Sequence, residues 1–194
     1  KKIPQGVRIT GKHKQHPLEI DARMAIIATG ANLKLLRSSK IIQKAPTMIL
    51  AARQYFENVN GLSNNVEAYF DGIPLPGYGW VFPISETVAN VGVGYWPHGI
   101  ARHWKPENAT QVFKNFIKLE TLREMLNDAK AMEPIRGFPI RMDFTTAPTF
   151  GEGALLVGEA AGLVNPLTGE GIDFALESGK LAAGHIQHTF ERGD

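Results

Sequence analysis

Apolar and polar positions change period along this chain, and each change marks a new element. Val7-Arg8-Ile9-Thr10 alternates, as a half-buried strand does. Residues 11–17 are rich in glycine, proline and charge and read as a turn. Residues 18–29 hold two extended apolar stretches that stop at Thr29-Gly30. Residues 31–46 keep no period, although one helical turn fits around 33–37. From 47 to 94 a period of two dominates. Strands are predicted over 48–56, 66–70, 79–84 and 88–95, the last two joined by Ser85-Glu86-Thr87. Short consecutive strands with turn signals between them predict an antiparallel sheet with one buried face. Alternation puts Tyr78, Trp80 and Phe82 on one face of their strand. Two readings of that face stay open: core packed against a helix, or the wall of an apolar substrate cavity.

The period then lengthens. Pro106 suits the first turn of a helix. Val112, Phe113, Phe116, Ile117 and Leu119 follow at helical spacing, a stripe broad enough to cover the sheet. A second helical piece is predicted over 120–130, with Leu122, Met125 and Leu126 on its apolar side. Residues 132–141 contain two prolines and a glycine and read as an extended return, with Ile135, Phe138 and Ile140 as strand residues. The apolar run 154–157 predicts a short buried strand. Gly158, Glu159, Ala160, Ala161 and Gly162 end it; Pro166, Gly169 and Gly171 follow. Helical spacing then runs from Ile172 to about Ile186. In that order, strand, small-residue turn and helix start let a backbone approach a ligand closely and offer unpaired N–H groups to an anion.

Composition narrows the picture modestly. The 194 residues are 43% hydrophobic and 21% charged, which fits a folded chain of one domain or two small ones. A net charge of +2 with scattered basic residues leaves no nucleic-acid footprint. The cluster Lys12-His13-Lys14-Gln15-His16 reads as a solvated hairpin tip. With no cysteine, disulfides, thiolate metal sites and a cysteine nucleophile are excluded from this stretch. No apolar run reaches the roughly 18–20 residues needed to cross a bilayer. His185 and His188 lie three apart with no third ligand, so they read as helix-end residues rather than a metal site. There is no G-x-S-x-G elbow, no G-x-x-x-x-G-K-[ST] loop and no H-E-x-x-H, and no pair of acids suggests hydrolysis.

A resemblance adds what periodicity does not. Gly158-Glu159-Ala160-Ala161-Gly162, Pro166, Thr168-Gly169-Glu170-Gly171-Ile172, Ala175, Ser178-Gly179 and Ala182-Ala183 resemble the second flavin-contacting motif of para-hydroxybenzoate hydroxylase-like FAD-dependent oxidoreductases. The pattern is that of the geranylgeranyl reductase family. Tyr78-Gly79-Trp80-Val81-Phe82-Pro83 and Ala89-Asn90-Val91-Gly92-Val93-Gly94 are similar to its Y-x-W-x-F-P and A-N-V-G-x-G segments. Met24 to Ala31 resembles the strand that ends in A-T-G. The matches keep the family's order from about Asp21 to Ala183. The opening G-x-G-x-x-G that holds the FAD pyrophosphate is absent from these residues, so the resemblance implies the C-terminal portion of a longer flavoprotein.

That resemblance implies an α/β fold: part of an FAD-binding Rossmann-like domain, residues 1–45 and 150–194, with an antiparallel-sheet substrate domain, 46–149, inserted into it. It assigns Gly158, Glu159, Ala160, Gly162, Pro166, Thr168, Gly169, Glu170, Gly171 and Ile172 to FAD. Glu159 stands where the family has Asp; an ionised carboxylate is acceptor-only and suits a ribityl hydroxyl. Backbone N–H groups of Gly169, Glu170 and Gly171 would meet the flavin pyrimidine edge, where donors stabilise the reduced ring. Pro166 and Leu167 would lie near the ring face, and the Glu170 carboxylate would point away. Ala175, Ser178, Gly179, Ala182 and Ala183 would pack the helix. Tyr78, Trp80 and Phe82 would shelter a prenyl-type substrate. The implied reaction is reduction of isolated C=C bonds by hydride from reduced FAD and then a proton, with NADPH or a ferredoxin reloading the flavin. No residue here identifies the proton donor, and the catalytic residues stay unknown. A cytoplasmic parent, with peripheral membrane contact and a homodimer as open possibilities, completes the expectation. The alternatives are a flavin monooxygenase of the aromatic-hydroxylase type, and a non-catalytic fragment or interaction module. On its own the chain is expected to hold FAD weakly or not at all.

Overall fold

The computed structural model describes residues 1–44, 46, 48–97 and 108–193. In chain order they form β1 (Lys2–Ile3), β2 (Gly6–His13), β3 (His16–Ala22), β4 (Ala25–Ile27), α1 (Lys34–Ser38), β5 (Met48–Glu57) and β6 (Glu67–Tyr69). Then come β7 (Gly77–Pro83), β8 (Val88–Tyr95), α2 (Ala109–Phe116), α3 (Glu120–Met125), β9 (Lys130–Ala131) and β10 (Arg136–Arg141). The chain closes with β11 (Phe150–Gly151), β12 (Ala154–Leu156), a 3-10 turn (Gly158–Ala161) and α4 (Ile172–Arg192). Two compact units result. A split unit joins Lys1–Thr47 to Arg141–Asp194, and a sheet unit comprises Met48–Ile140.

In the sheet unit the strand order is β10-β5-β8-β7-β6, with β9 also on β5, and every pair of known register is antiparallel. Alternation sends Val81, Val91, Val93 and Tyr95 to one face, where they are buried with Val112, Phe113 and Phe116 of α2 and Leu122 of α3. Gly79 makes the close fit: a Cβ there would come within 2.5 Å of the Phe116 ring. α2 starts at Asn108, whose Oδ1 accepts from the Gln111 N–H at 2.9 Å, a cap worth about 0.5–2 kcal/mol. Pro106, expected to start this helix, lies outside the described residues. α3 stops at Met125 instead of running to 130, because Lys130 and Ala131 pair with Glu57 and Phe56 as β9. Unpaired ladder groups on β5 outcompete the continued helix.

In the split unit β1-β2-β3 form a meander, while β11-β12-β4 form a second small sheet in which β12 and β4 run parallel. Ile27, Leu36, Ile42, Ala154, Leu156, Ala160 and Ala161 make its core. The turn expected over 11–17 shrinks to Lys14-Gln15. Both residues have positive φ, 46° and 70°, and pairing continues to His13↔His16. Such a two-residue loop twists with its strands, so the ladder extends to the tip. β4 ends at Ile27, short of Thr29. α4 continues past Ile186 to Arg192, and Gly193, at φ 79°, ends it with a left-handed cap. The Arg23 guanidinium lies 3.3 Å from the Phe190 ring centre and holds the added turns by a cation–π contact. Among the described residues no helix is long and apolar enough to cross a membrane.

Candidate cofactor site

β4 and β12 are parallel neighbours, so their carboxyl ends open on the same edge of the sheet. The crevice outside such ends is where open α/β sheets take ligands. Thr29-Gly30 follows β4, with Gly30 at φ 58°. The Val157 N–H bonds to the Ile27 carbonyl at 3.1 Å, and the Gly158–Ala161 turn comes next.

Small residues set this turn down on α4. Gly158 has φ 56°, and a Cβ there would stand 2.9 Å from the Ala175 methyl. Its N–H donates to Ser178 Oγ at 2.9 Å, and the Ser178 hydroxyl donates to the Phe174 carbonyl at 2.6 Å. Ala175 and Ser178 therefore seat the turn on the helix, the packing role expected of them. Gly162 closes the turn at φ 74°, and a Cβ there would lie 2.7 Å from Asp143 Oδ1.

Glu159 is half-buried. Its Oε1 accepts the Arg141 backbone N–H at 2.8 Å. Its Oε2 faces Gly30, 4.0 Å from where a Cβ would be. Burial pushes this carboxyl above the ordinary glutamate range, while the Arg141 amide and the Arg141 charge pull it back down. Arg141 itself is fully buried. Its Nε donates to Asp143 Oδ1 at 2.6 Å and its Nη1 to the Ala160 carbonyl, while Nη2 has no acceptor among the described residues. Sequence reasoning missed both Arg141 and Asp143. A lone charged residue at a strand end carries no periodic or motif signal.

The loop that leads to α4 consumes most of its own amides. Asn165 Oδ1 accepts from the N–H groups of Leu167, at 2.9 Å, and Thr168, at 3.3 Å. The Gly169 N–H bonds to the Asn165 carbonyl at 2.8 Å and the Glu170 N–H to Thr168 Oγ1 at 3.3 Å. The amides of Gly171, Ile172, Asp173 and Phe174 bond to no described residue, as the first turn of a helix leaves them. The free donors are thus displaced toward the helix relative to the trio 169–171. The glycines also answer to the loop itself. Gly169 is left-handed at φ 74°, and a Cβ on Gly171 would press within 2.9 Å of Val164. The mouth is open to solvent, with Leu167 87% and Ile172 80% exposed. Pro166, Thr168 and Glu170 are exposed beside them.

In the sheet unit, Tyr78, Trp80 and Phe82 occupy the face away from α2, with ring centres 5.8 Å and 5.7 Å apart. This overturns the reading of these rings as core against a helix; Gly79 and Val81 have that role. The Trp80 indole lies over Gly92, where a Cβ would meet the ring at 2.2 Å, and its Nε1 donates to Asn90 Oδ1 at 2.9 Å. Gly92 and Gly94 thus give the Trp80 ring room to lie flat on β8. Among the described residues no group of three His, Cys, Asp or Glu side chains could hold a metal ion. His185 and His188 are both exposed on α4.

The mixed α/β architecture, with its antiparallel sheet unit, is that of FAD-dependent oxidoreductases. The chain is homologous to proteins of the geranylgeranyl reductase type. It is 32% identical over 201 residues to digeranylgeranylglycerophospholipid reductase 1 of Methanopyrus kandleri, covering 97% of this chain and 49% of that one. A geranylgeranyl bacteriochlorophyll reductase-like structure from Thermoplasma acidophilum superposes at a TM-score of 0.80 with 27% identity, over 98% of this chain and 46% of that one. CmlS, a flavin-dependent halogenase, shares the fold at a TM-score of 0.71 and 18% identity, over 98% of this chain and 35% of that one. No protein-family model matches. The chain spans about half the length of the relatives it matches.

Proposed function

We propose that this chain supplies part of the FAD site, and the substrate-sheltering sheet, of a flavin-dependent reductase that saturates C=C bonds of a prenyl-type apolar substrate. One observation carries the reading. A half-buried carboxylate and the unengaged amides of a long helix belong to one strand–turn–helix, at the carboxyl ends of two parallel strands. Glu159 would accept a ribityl hydroxyl through Oε2, the oxygen that Arg141 leaves unengaged. The α4 amides of residues 171–174 would donate to the pyrimidine edge, where helix-end donors favour the reduced ring. Of the other residues assigned to FAD, Pro166, Thr168, Gly169, Glu170 and Ile172 lie on the open loop where a ligand could meet them, whereas Gly158, Ala160 and Gly162 are buried and would act by shaping the turn. FAD, when bound and reduced, supplies hydride. Tyr78, Trp80 and Phe82 would shelter the prenyl chain along the face of the sheet away from α2. NADPH or a ferredoxin is the proposed source of electrons.

The relatives' names favour prenylated lipids as substrates. The test is the protein encoded with its upstream coding sequence, given chemically reduced FAD and a geranylgeranylated glycerophospholipid without oxygen. The lipid is expected to gain two hydrogens per double bond. A lipid left unsaturated under these conditions, and hydroxylated or halogenated only once oxygen is admitted, would refute the reading.

A further inference from the structure

Arg141 lies outside every motif that the sequence offers, yet it is among the most buried side chains in the molecule. It touches the Glu159 turn in three ways. Its amide holds Glu159 Oε1, its Nη1 holds the Ala160 carbonyl, and through Nε it fixes Asp143, the residue that fills the space a Cβ on Gly162 would need. We propose that Arg141 is a positioning residue, which ties down the Glu159 turn through its amide, Nη1 and Nε and aims the free oxygen of Glu159 into the crevice at the ends of β4 and β12. The ligand side of this inference rests on the cofactor reading above.

The surroundings leave this task to Arg141. α4 presents Ala175 and Ser178 to the turn, and the turn after β4 presents Gly30; none of these carries charge. The charged groups at the turn are Arg141 and Asp143, both from the end of β10 and the residues after it. A half-buried carboxylate without a cation protonates more readily, and a protonated one offers a hydrogen where a sugar hydroxyl requires an acceptor. The Arg141 amide adds orientation: with Oε1 engaged, Oε2 is the oxygen turned toward Gly30.

The proposal is tested first without flavin, by NMR of the whole chain labelled with 15N and with 13C at the glutamate carboxyls. In the unmodified protein the Arg141 amide proton is expected to shift with the same midpoint as the Glu159 carboxyl. Arg141→Gln should raise that midpoint, as loss of a neighbouring opposite charge does. Arg141→Lys should restore most of the difference. Asp143→Asn should move the midpoint the other way, a sign that a purely structural role does not predict. If Arg141→Gln fails to fold, the amide titration and Asp143→Asn still decide. An Arg141 amide indifferent to Glu159, or a midpoint unmoved by Asp143→Asn, would overturn the proposal and leave the cofactor reading intact. FAD is then titrated at two pH values. Arg141→Gln should weaken binding several-fold at a pH just below the variant's own measured Glu159 midpoint and less well above it, where Glu159 ionises unaided. An equal loss at both values would also overturn it. Absence of any FAD response at Glu159 in the unmodified protein encoded with its upstream coding sequence would instead sink the cofactor reading.

Discussion

The sheet unit and the cofactor turn are held together by different physics. In the sheet unit, side chains of alternating strands meet one apolar helix stripe. Val91, Val93, Tyr95, Phe113, Phe116 and Leu122 have no exposure at all. The turn after β12 buries little beyond alanine and glycine, and it is fixed by directed contacts from Arg141, Asp143 and Ser178. The first arrangement tolerates exchange among apolar residues of similar volume. The second depends on individual atoms, and the neighbouring loop leaves large apolar groups in solvent. One unit thus rests mainly on packing and the other on directed polar contacts.

The largest effect expected is on packing. Phe116→Ala removes a ring lodged over Gly79 and against the edge of Tyr69, 5.7 Å away. It should cost the sheet unit about 3–5 kcal/mol. Amide exchange read residue by residue should show β5, β7 and β8 losing protection while β4 and β12 keep theirs. Equal loss in both units would erase the contrast. A smaller effect is expected at the turn. Gly162→Ala adds a Cβ at a left-handed position, about 1–2 kcal/mol from backbone alone, and crowds Asp143 at 2.7 Å. Its signature should be a changed Arg141 side-chain resonance. An unchanged Arg141 would mean that the turn and Asp143 are less tightly joined than their distances imply.

The same contrast explains what could be read from sequence. Strands 48–57, 77–83 and 88–95 and the stripe on α2 repeat with the period of their element, so burial is written into their spacing. The strand–turn–helix from Ala154 onward was legible through its glycines and the family pattern. Their steric purposes were not: Gly158 avoids Ala175, Gly162 avoids Asp143 and Gly171 avoids Val164, each a contact with another part of the chain. Alternation did place Tyr78, Trp80 and Phe82 together, but it could not say which face α2 covers. β9 was lost inside a predicted helix because Phe56 and Glu57, its pairing partners, lie more than seventy residues earlier. Arg141 escaped for the same reason, since its meaning comes from Glu159 and Ala160 eighteen and nineteen residues later.

The central claim, that the ends of β4 and β12 and the start of α4 receive a flavin, is tested most directly in the protein encoded with its upstream coding sequence, by following the backbone amides of these residues as FAD is raised to millimolar concentration. Weak binding suffices for this. The account predicts shifts concentrated at Gly30, at 158–162 and at 171–174. No response up to the solubility limit, or shifts confined to other parts of the chain, would contradict it.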